Sequence, residues 1–580
     1  GRPPFPGSCP ITVPTTACEC EYDGGDNSCC ACSTAPVFSP VDDTCPPPPA
    51  SARIWAGVPG ANFLTGASQG HTLPSRDASS FPSILPANWL PDPVQPVTQW
   101  LSQVVPRYWP GPATLDLSTG ELRTQLAPPK TGALDARPVF TYNSRYGATT
   151  ENGRNVVGSY NGKVTEIDSE TAEVTTGAGQ QLTYTNKDAT TGQYIAPPGG
   201  PALEFDSGSS DWTETQFDQH VVQYDSNGQL EYLETPTGAR WTLSHDMGGK
   251  VESVESPLGR LTTFTYDGSD KLQSVQDPGG RVTTFTVDGN GNLTKMTTPE
   301  LCITELKYDG SNRLQAYVDP EGNRTTYSYD SDDLVNSIVA PTGDTTSFSW
   351  LDWNTTKIED PKGNITTLSF DAARNITGIE NSLGQRATLA WELDQVTRIE
   401  DPVGCWTSFT YEAASNGTRH LRSIHTPLDG VYTFNYDGSD RLEAVVDPSG
   451  NRKTLSWDGN SQRSALRDAS GNRTTYTYNS RGQMEAVIDA LGNRTTNVYD
   501  DDTGELTAVV NALGDRTSYT YDSYGRSESI ENALGYRTTY TRDLMNRITA
   551  IENALGERTT YGYDLNGKLV ATQNALGQTT

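Results

Sequence analysis

From about residue 211 the chain alternates in six-residue bursts. In Arg473 to Tyr478 (RTTYTY), Thr474, Tyr476 and Tyr478 fall on one face and Arg473, Thr475 and Thr477 on the other, the period-two signature of a β-strand with one face covered. Asn479 to Gly482 supply a polar turn, and Met484, Ala486 and Ile488 then alternate with Gln483, Glu485 and Val487 in a returning strand. A second turn, Asp489 to Gly492, closes the unit. Pro or Ala at its second position and Gly at its fourth suit a type I turn.

The unit recurs down the chain. Seventeen copies of the second turn start between Thr235 (TPTG) and Asn574 (NALG), at a spacing close to 21 residues. A second ladder keeps the same period: Tyr224, Tyr266, Tyr308, Tyr329, Phe370, Tyr411, Tyr436, Trp457, Tyr478, Tyr499, Tyr521 and Tyr563, mostly followed by Asp. Two ladders in phase predict an all-β protein, a continuous antiparallel ribbon of hairpins. One face carries Thr, Arg and Glu and the other the tyrosines with modest aliphatics. Such a ribbon should twist and coil around a wide or partly hydrated interior, its tyrosines stacking as cross-strand pairs.

Four regions follow. Residues 1–49 form a Cys/Pro-rich module with Cys9, Cys18, Cys20, Cys29, Cys30, Cys32 and Cys45. That density predicts disulfides and an oxidising compartment; zinc is the competing reading, but structural zinc sites usually show paired CxxC knuckles. Seven is odd, so one cysteine is free, pairs with Cys302 or Cys405, or bridges to another chain. Residues 50–113 read as a Pro/Trp-rich linker or plug whose one helical stretch is 97–105, residues 114–210 as a β lead-in, and residues 211–580 as the array. The start at Gly1 suggests a processed N-terminus.

Composition narrows the function classes. Only 34% of the 580 residues are hydrophobic, too few to fill a sandwich, so many small contacts must replace one thick core. Forty-two basic against 72 acidic side chains leave a net charge of −30. Phosphate neutralisation by Lys and Arg dominates nucleic-acid affinity, which excludes nucleic acid as a partner. No apolar run approaches the roughly 18 residues of a membrane span.

The recurring Tyr-Asp turn (Tyr266-Asp267-Gly268, Tyr308-Asp309-Gly310, Tyr436-Asp437-Gly438), together with the xPxG or NALG turn, resembles the YD (Rhs) repeat of bacterial Rhs proteins, insecticidal ABC-toxin shells and animal teneurins. The resemblance covers roughly residues 115 to 580. It includes Asp116 to Gly120 and Phe140 to Ser144, which look like the start of an Rhs core. It implies a ribbon that spirals into a hollow β-shell. Toxin-type cores close with a self-cleaving aspartyl segment and a toxic domain, whereas the Asp-Pro pairs at 277, 319, 360, 401 and 447 are repeat turns and the array stops within a repeat at Gln578-Thr579-Thr580. A rod or open spiral therefore stands beside the closed shell.

Catalytic machinery is thin. The five histidines, His71, His220, His245, His420 and His425, belong to no hydrolase, metalloprotease or nucleotide motif, and His245 holds a ladder position. Asp332-Asp333 and Asp500 to Asp502 sit in turns. Asp288-Gly-Asn290-Gly-Asn292 places oxygens at alternate positions, the pattern of a weak calcium site without the downstream Glu of an EF-hand; no catalytic residue and no other cofactor is expected. Asn292, Asn323, Asn354, Asn364, Asn375, Asn416, Asn472 and Asn493 are glycosylation sequons, although the repeat's own GNRTT generates three of them. Arg324, Arg473, Arg494, Arg516, Arg537 and Arg558 open strands that Glu531 and Glu552 end, predicting cross-strand ion rungs.

The sequence points to a secreted, non-enzymatic structural protein, a subunit of a cell-surface or extracellular filament or coat. It would associate end to end through an exposed edge strand, residues 1–50 covering a neighbour's open end, with glycans or a cell surface as further partners. Two alternatives stay open: an Rhs/ABC-toxin-type shell enclosing a toxin or other cargo, and a teneurin-like adhesion ectodomain.

Overall fold

A computed structural model describes residues 113–580 apart from 130–133, 198–199, 217–219, 237, 394, 414–418 and 428. The cysteine module, the Pro/Trp-rich segment with its stretch at 97–105, and Asn416 lie outside the described residues.

Thirty-six strands, from β10 (Ala202–Asp206) to β45 (Leu569–Gln573), form one antiparallel sheet in unbroken sequence order, and the described residues contain no helix. Both turns of the repeat are built alike. Asp267 Oδ1 accepts the amides of Ser269 (2.8 Å) and Lys271 (3.0 Å), the Asp270 amide donates to the Asp267 carbonyl, and Asp270 stands at φ 60. In the second turn Asp277 Oδ1 does the same for Gly279 and Arg281, with Gly280 at φ 85. This is the hairpin made of a type I turn and one left-handed residue. A side-chain oxygen folding back on amides two and four residues ahead explains why Asp or Asn opens most turns.

Strict alternation fails in the returning strands, because nearly all of them carry a β-bulge. β16 (Leu261–Tyr266) pairs with β17 (Leu272–Gln276) through Thr263↔Gln276, Phe264↔Val275 and Thr265↔Ser274, then slips by one residue to Tyr266↔Leu272. The same slip joins β36 (Arg473–Tyr478) to β37 (Met484–Ile488). Met484 and Val487 therefore share the face of Tyr478 and Tyr476, while Ala486 lies on the opposite face between Thr477 and Thr496. The expected grouping of Met484 with Ala486 and Ile488 is corrected accordingly: the bulge re-aims one residue per strand.

The interior of the first hairpins is filled. β1 (Ala113–Leu115), β2 (Leu122–Leu126), β3 (Phe140–Asn143) and β6 (Val156–Gly158) form a separate four-stranded sheet, mostly buried, against their concave face. Phe140 meets Phe285 edge-on at 4.8 Å between ring centroids, and Tyr142 meets Tyr308 at 6.0 Å. Trp241 Nε1 donates to the Leu134 carbonyl (2.7 Å), Thr262 Oγ1 to that of Ala136 and Thr356 Oγ1 to that of Leu117 (2.9 Å each). The lead-in thus supplies the second apolar layer that the array lacks, and its free carbonyls satisfy polar groups of the array's inner face.

Candidate functional site: the concave face and the coil seam

Tyr-Asp turns run along one edge of the ribbon and xPxG or NALG turns along the other. The ribbon comes back onto itself so that these unlike edges meet. The Leu544 amide donates to Glu300 Oε1 at 2.8 Å and the Leu565 amide to Glu321 Oε1 at 2.5 Å, each across 244 residues. Asn566 Nδ2 donates to Asp319 Oδ2 (2.7 Å), and Arg281, held by Asp277 at 2.6 Å, donates to the Leu544 carbonyl (2.7 Å). Tyr524 covers Gly279, where a Cβ would fall 2.0 Å from the ring; Leu258 lies over Gly504. Arg260 ties three layers together, 3.2 Å from Asp135 of the lead-in and 3.8 Å from Glu505 of the returning coil. Burial raises the pKa of Glu505, with Arg260 opposing.

The circuit counts out in strands. Glu300 lies between β19 (Leu293–Thr297) and β20 (Ile303–Tyr308), and Leu544 between β42 (Arg537–Arg542) and β43 (Ile548–Glu552), so one turn of the coil takes 23 strands. At about 4.8 Å per strand that is a perimeter of roughly 110 Å, a ring about 35 Å across.

Inside the ring, most of the ladder tyrosines and tryptophans are bonded to the preceding repeat. Tyr266 donates its hydroxyl to the Val251 carbonyl, Tyr308 to Leu293, Tyr329 to Leu314, Tyr411 to Val396, Tyr436 to Leu421, Tyr478 to Arg463, Tyr499 to Met484, Tyr521 to Leu506 and Tyr563 to Ile548. Trp350, Trp391 and Trp457 do the same with Nε1. Most of these acceptors open a returning strand at its register slip, where ladder pairing is interrupted. A cation from that earlier repeat covers several rings: Lys250 over Tyr266, Arg313 over Tyr329, Arg441 over Trp457 and Arg547 over Tyr563. Tyr224 instead donates to the buried Glu214 at 2.9 Å. Toward the C-terminal end the face opens: Tyr476, Tyr519, Tyr540 and Tyr561 are half-buried where Phe264, Phe285 and Phe348 are buried in the first coil.

Other sequence candidates are spread around the ribbon. Asn323, Asn364, Asn472 and Asn493 are exposed, each Nδ2 donating at 2.8–2.9 Å to the aspartate four residues earlier. Asn292 and Asn375 are buried, and Asn354 is half-buried. Asp288 spends Oδ1 on the amides of Asn290 and Asn292 and Oδ2 on the Asn292 side chain. Among the described residues no group of three or more His, Cys, Asp and Glu is placed to hold a metal. His420 lies 3.2 Å from Asp440 and stacks on Tyr436 at 4.3 Å; burial lowers the pKa of His245, which occupies a ladder register opposite Val251. Asp333 pairs with Arg313 at 2.5 Å. Of the downstream cysteines, Cys302 is a buried free thiol and Cys405 is disulfide-bonded. Ion rungs stand at Glu234–Arg240 (2.6 Å) and Glu380–Arg386 (3.7 Å), while Glu531 and Glu552 lie in register with Arg537 and Arg558.

Sequence reasoning missed the seam residues, which nothing within one unit marks, and it missed Trp350 and Trp391, whose signal was present as aromatics in the ladder's phase.

A family model described as teneurin YD-shell matches residues 208–354, and one described as RHS repeat matches residues 457–494, 499–530 and 546–579. No curated protein matches the chain. Among solved structures it is similar to TcdB2-TccC3-Cdc42, at 14% identity over 76% of this chain and 26% of that one with a TM-score of 0.43. It is also similar to TcdB2-TccC3 (14%, 80% and 28%, TM-score 0.40) and to the Tc holotoxin pore of Photorhabdus luminescens (14%, 78% and 26%, TM-score 0.37). The chain spans about a quarter of the length of these proteins. With both family descriptions falling on the 21-residue array, the chain is shown to carry the YD (Rhs) repeat.

Proposed function

We propose that this chain is a wall segment of a hollow, cargo-enclosing shell of the Rhs/ABC-toxin type, in preference to a filament or coat subunit. The observation that carries the reading is the seam: after 23 strands the Tyr-Asp edge lands on the opposite edge of the preceding coil. An array stretched into a rod would leave both edges to solvent, whereas a ribbon stacked on itself bounds an interior. The match to a shell family supports the same reading. The role is mechanical, and the ladder tyrosines are structural ties, not catalysts. The seven cysteines between residues 9 and 45 support an extracellular location.

The test is native material. Negative-stain images should show closed or barrel-shaped particles, and protease digestion should leave an internal polypeptide intact until a chaotrope opens the coil. Fibres with no protected polypeptide would refute the shell and restore the filament.

A further inference from the structure

One register on the face opposite the tyrosine ladder, the first residue of each outgoing strand, is arginine in every repeat from Arg452 onward: Arg452, Arg473, Arg494, Arg516, Arg537 and Arg558, all exposed. The register stays open where one coil lies against the next. Leu261 and Val282 occupy it at 47% and 41% exposure, although Arg260 and Arg281 beside them are engaged in the seam.

In an antiparallel sheet the residue directly opposite decides whether such a charge is answered. Arg240 faces Glu234 at 2.6 Å and Arg386 faces Glu380 at 3.7 Å. Arg452, Arg473, Arg494 and Arg516 instead face Val446, Arg467, Ile488 and Val510, and glutamate returns only at Glu531 and Glu552, opposite Arg537 and Arg558. Among the described residues none of these four arginines, nor Arg467, is in an ion pair. The acids of the adjoining turns are engaged within them: Asp447, Asp468 and Asp489 accept the side-chain amides of Asn451, Asn472 and Asn493 at 2.8 Å, and Asp515 accepts that of Asn511 at 3.0 Å.

The guanidinium groups are also held in place. Arg494 Nε donates to Thr496 Oγ1 and Arg516 Nε to Ser518 Oγ, each at 3.2 Å, which leaves the terminal nitrogens to an outside acceptor. A planar fork fixed in this way meets a carboxylate or sulfate with little further ordering. Successive arginines stand two strands apart, about 10 Å, and the four span six strands, about 29 Å. An extended, β-linked acidic polysaccharide repeats its acid group once per disaccharide, at that same pitch. Phosphates of a nucleic acid and side chains of an acidic peptide recur at shorter intervals, and a net charge of −30 repels such dense polyanions most strongly. We infer that this row is a binding track for a linear polysaccharide with one carboxylate or sulfate per disaccharide, laid across the strands with an acid group on each of Arg452, Arg473, Arg494 and Arg516. The track lies on the face away from the ladder and is independent of what the coil encloses.

Fluorescence anisotropy with end-labelled hyaluronan oligosaccharides, added to the purified full chain at low ionic strength, tests it. Affinity should rise from the disaccharide to the octasaccharide, whose four carboxylates match the four arginines, and gain little beyond, where Glu531 and Glu552 answer the next two. Arg473→Gln/Arg494→Gln should weaken octasaccharide binding about tenfold with unchanged far-UV circular dichroism. Arg324→Gln should leave it unaltered, because Arg324 occupies the same register alone, between Ile303 and Thr345. Absence of octasaccharide binding by the wild type, or undiminished binding by the Arg473/Arg494 variant, would overturn the proposal. So would an equal loss in Arg324→Gln, or tighter binding of polyglutamate or a single-stranded oligonucleotide of the same charge, since the row would then act as an unspecific cation.

Discussion

Replacing Tyr329 with Phe removes one oxygen and almost no volume, which isolates the ladder hydrogen bond from packing. The lost bond is 2.6 Å long and ends on the carbonyl of Leu314, a residue with no exposed surface whose amide is itself bonded to the Tyr142 hydroxyl. A neutral hydrogen bond contributes about 1 kcal/mol net, and a buried acceptor left without a partner costs about 1–3 kcal/mol. The substitution should therefore cost about 1–2 kcal/mol locally. At Tyr521, on the more open second coil, water can replace the hydroxyl and the cost should be about 0.5 kcal/mol or less. Since the chain is a repeat array, unfolding need not be two-state, so the readout is hydrogen exchange of the hairpin and not a global midpoint. Amides flanking Leu314 should exchange roughly 5- to 30-fold faster in Tyr329→Phe. Trp350→Tyr should retain protection of the neighbouring hairpin where Trp350→Phe does not. Equal protection in all of these variants would show that the ladder is held by ring packing and that the donor is incidental.

Removing both seam acceptors, Glu300→Ala with Glu321→Ala, should speed exchange at Leu544 and Leu565 and admit protease to the turns at 543–546 and 564–567, with strand content unchanged; unaltered cleavage would mean that the coils are held by other contacts. Burial holds the ladder phenols above their ordinary value of 10, Tyr521 being pushed up to about 12 with Glu505 assisting, and Tyr266 and Tyr329 higher still. Because the folded values lie above the unfolded one, stability is fully present below pH 10 and falls as pH rises through the folded values. Absorbance at 295 nm should show these tyrosines ionising late and together with loss of strand signal, and ordinary titration near 10 in an intact fold would contradict it.

Much of the ribbon was legible in a single unit. Arg473 to Gly492 contain two turns, two strands and the aromatic face, because turn chemistry and period-two patterning are local. The bulge was harder, since it substitutes a spacing of three for one of two. Leu272 with Val275 and Leu293 with Met296 carry that spacing, but alternation is the stronger expectation for short strands. The filling of the first coil was hidden for a different reason: Phe140 and Phe285 belong to separate regions, and neither residue's neighbours in the chain announce the other. The seam is the least legible part, because it depends on the radius at which many small twists close.

The count of 23 strands has a consequence for how such an array can change. An odd number brings turn over turn, so Glu300 meets Leu544 and Glu321 meets Leu565 head-on. Inserting one hairpin between residues 321 and 500 would leave every repeat intact and every turn correctly formed. It would nonetheless displace all the junctions by one place at once, handing Glu300 the neighbour meant for Gly279. A duplication that is silent to the local fold is thus a frameshift in the assembly, read in strands instead of nucleotides. Growth is free of this penalty only beyond the last junction, where Leu565 and Asn566 meet Glu321 and Asp319.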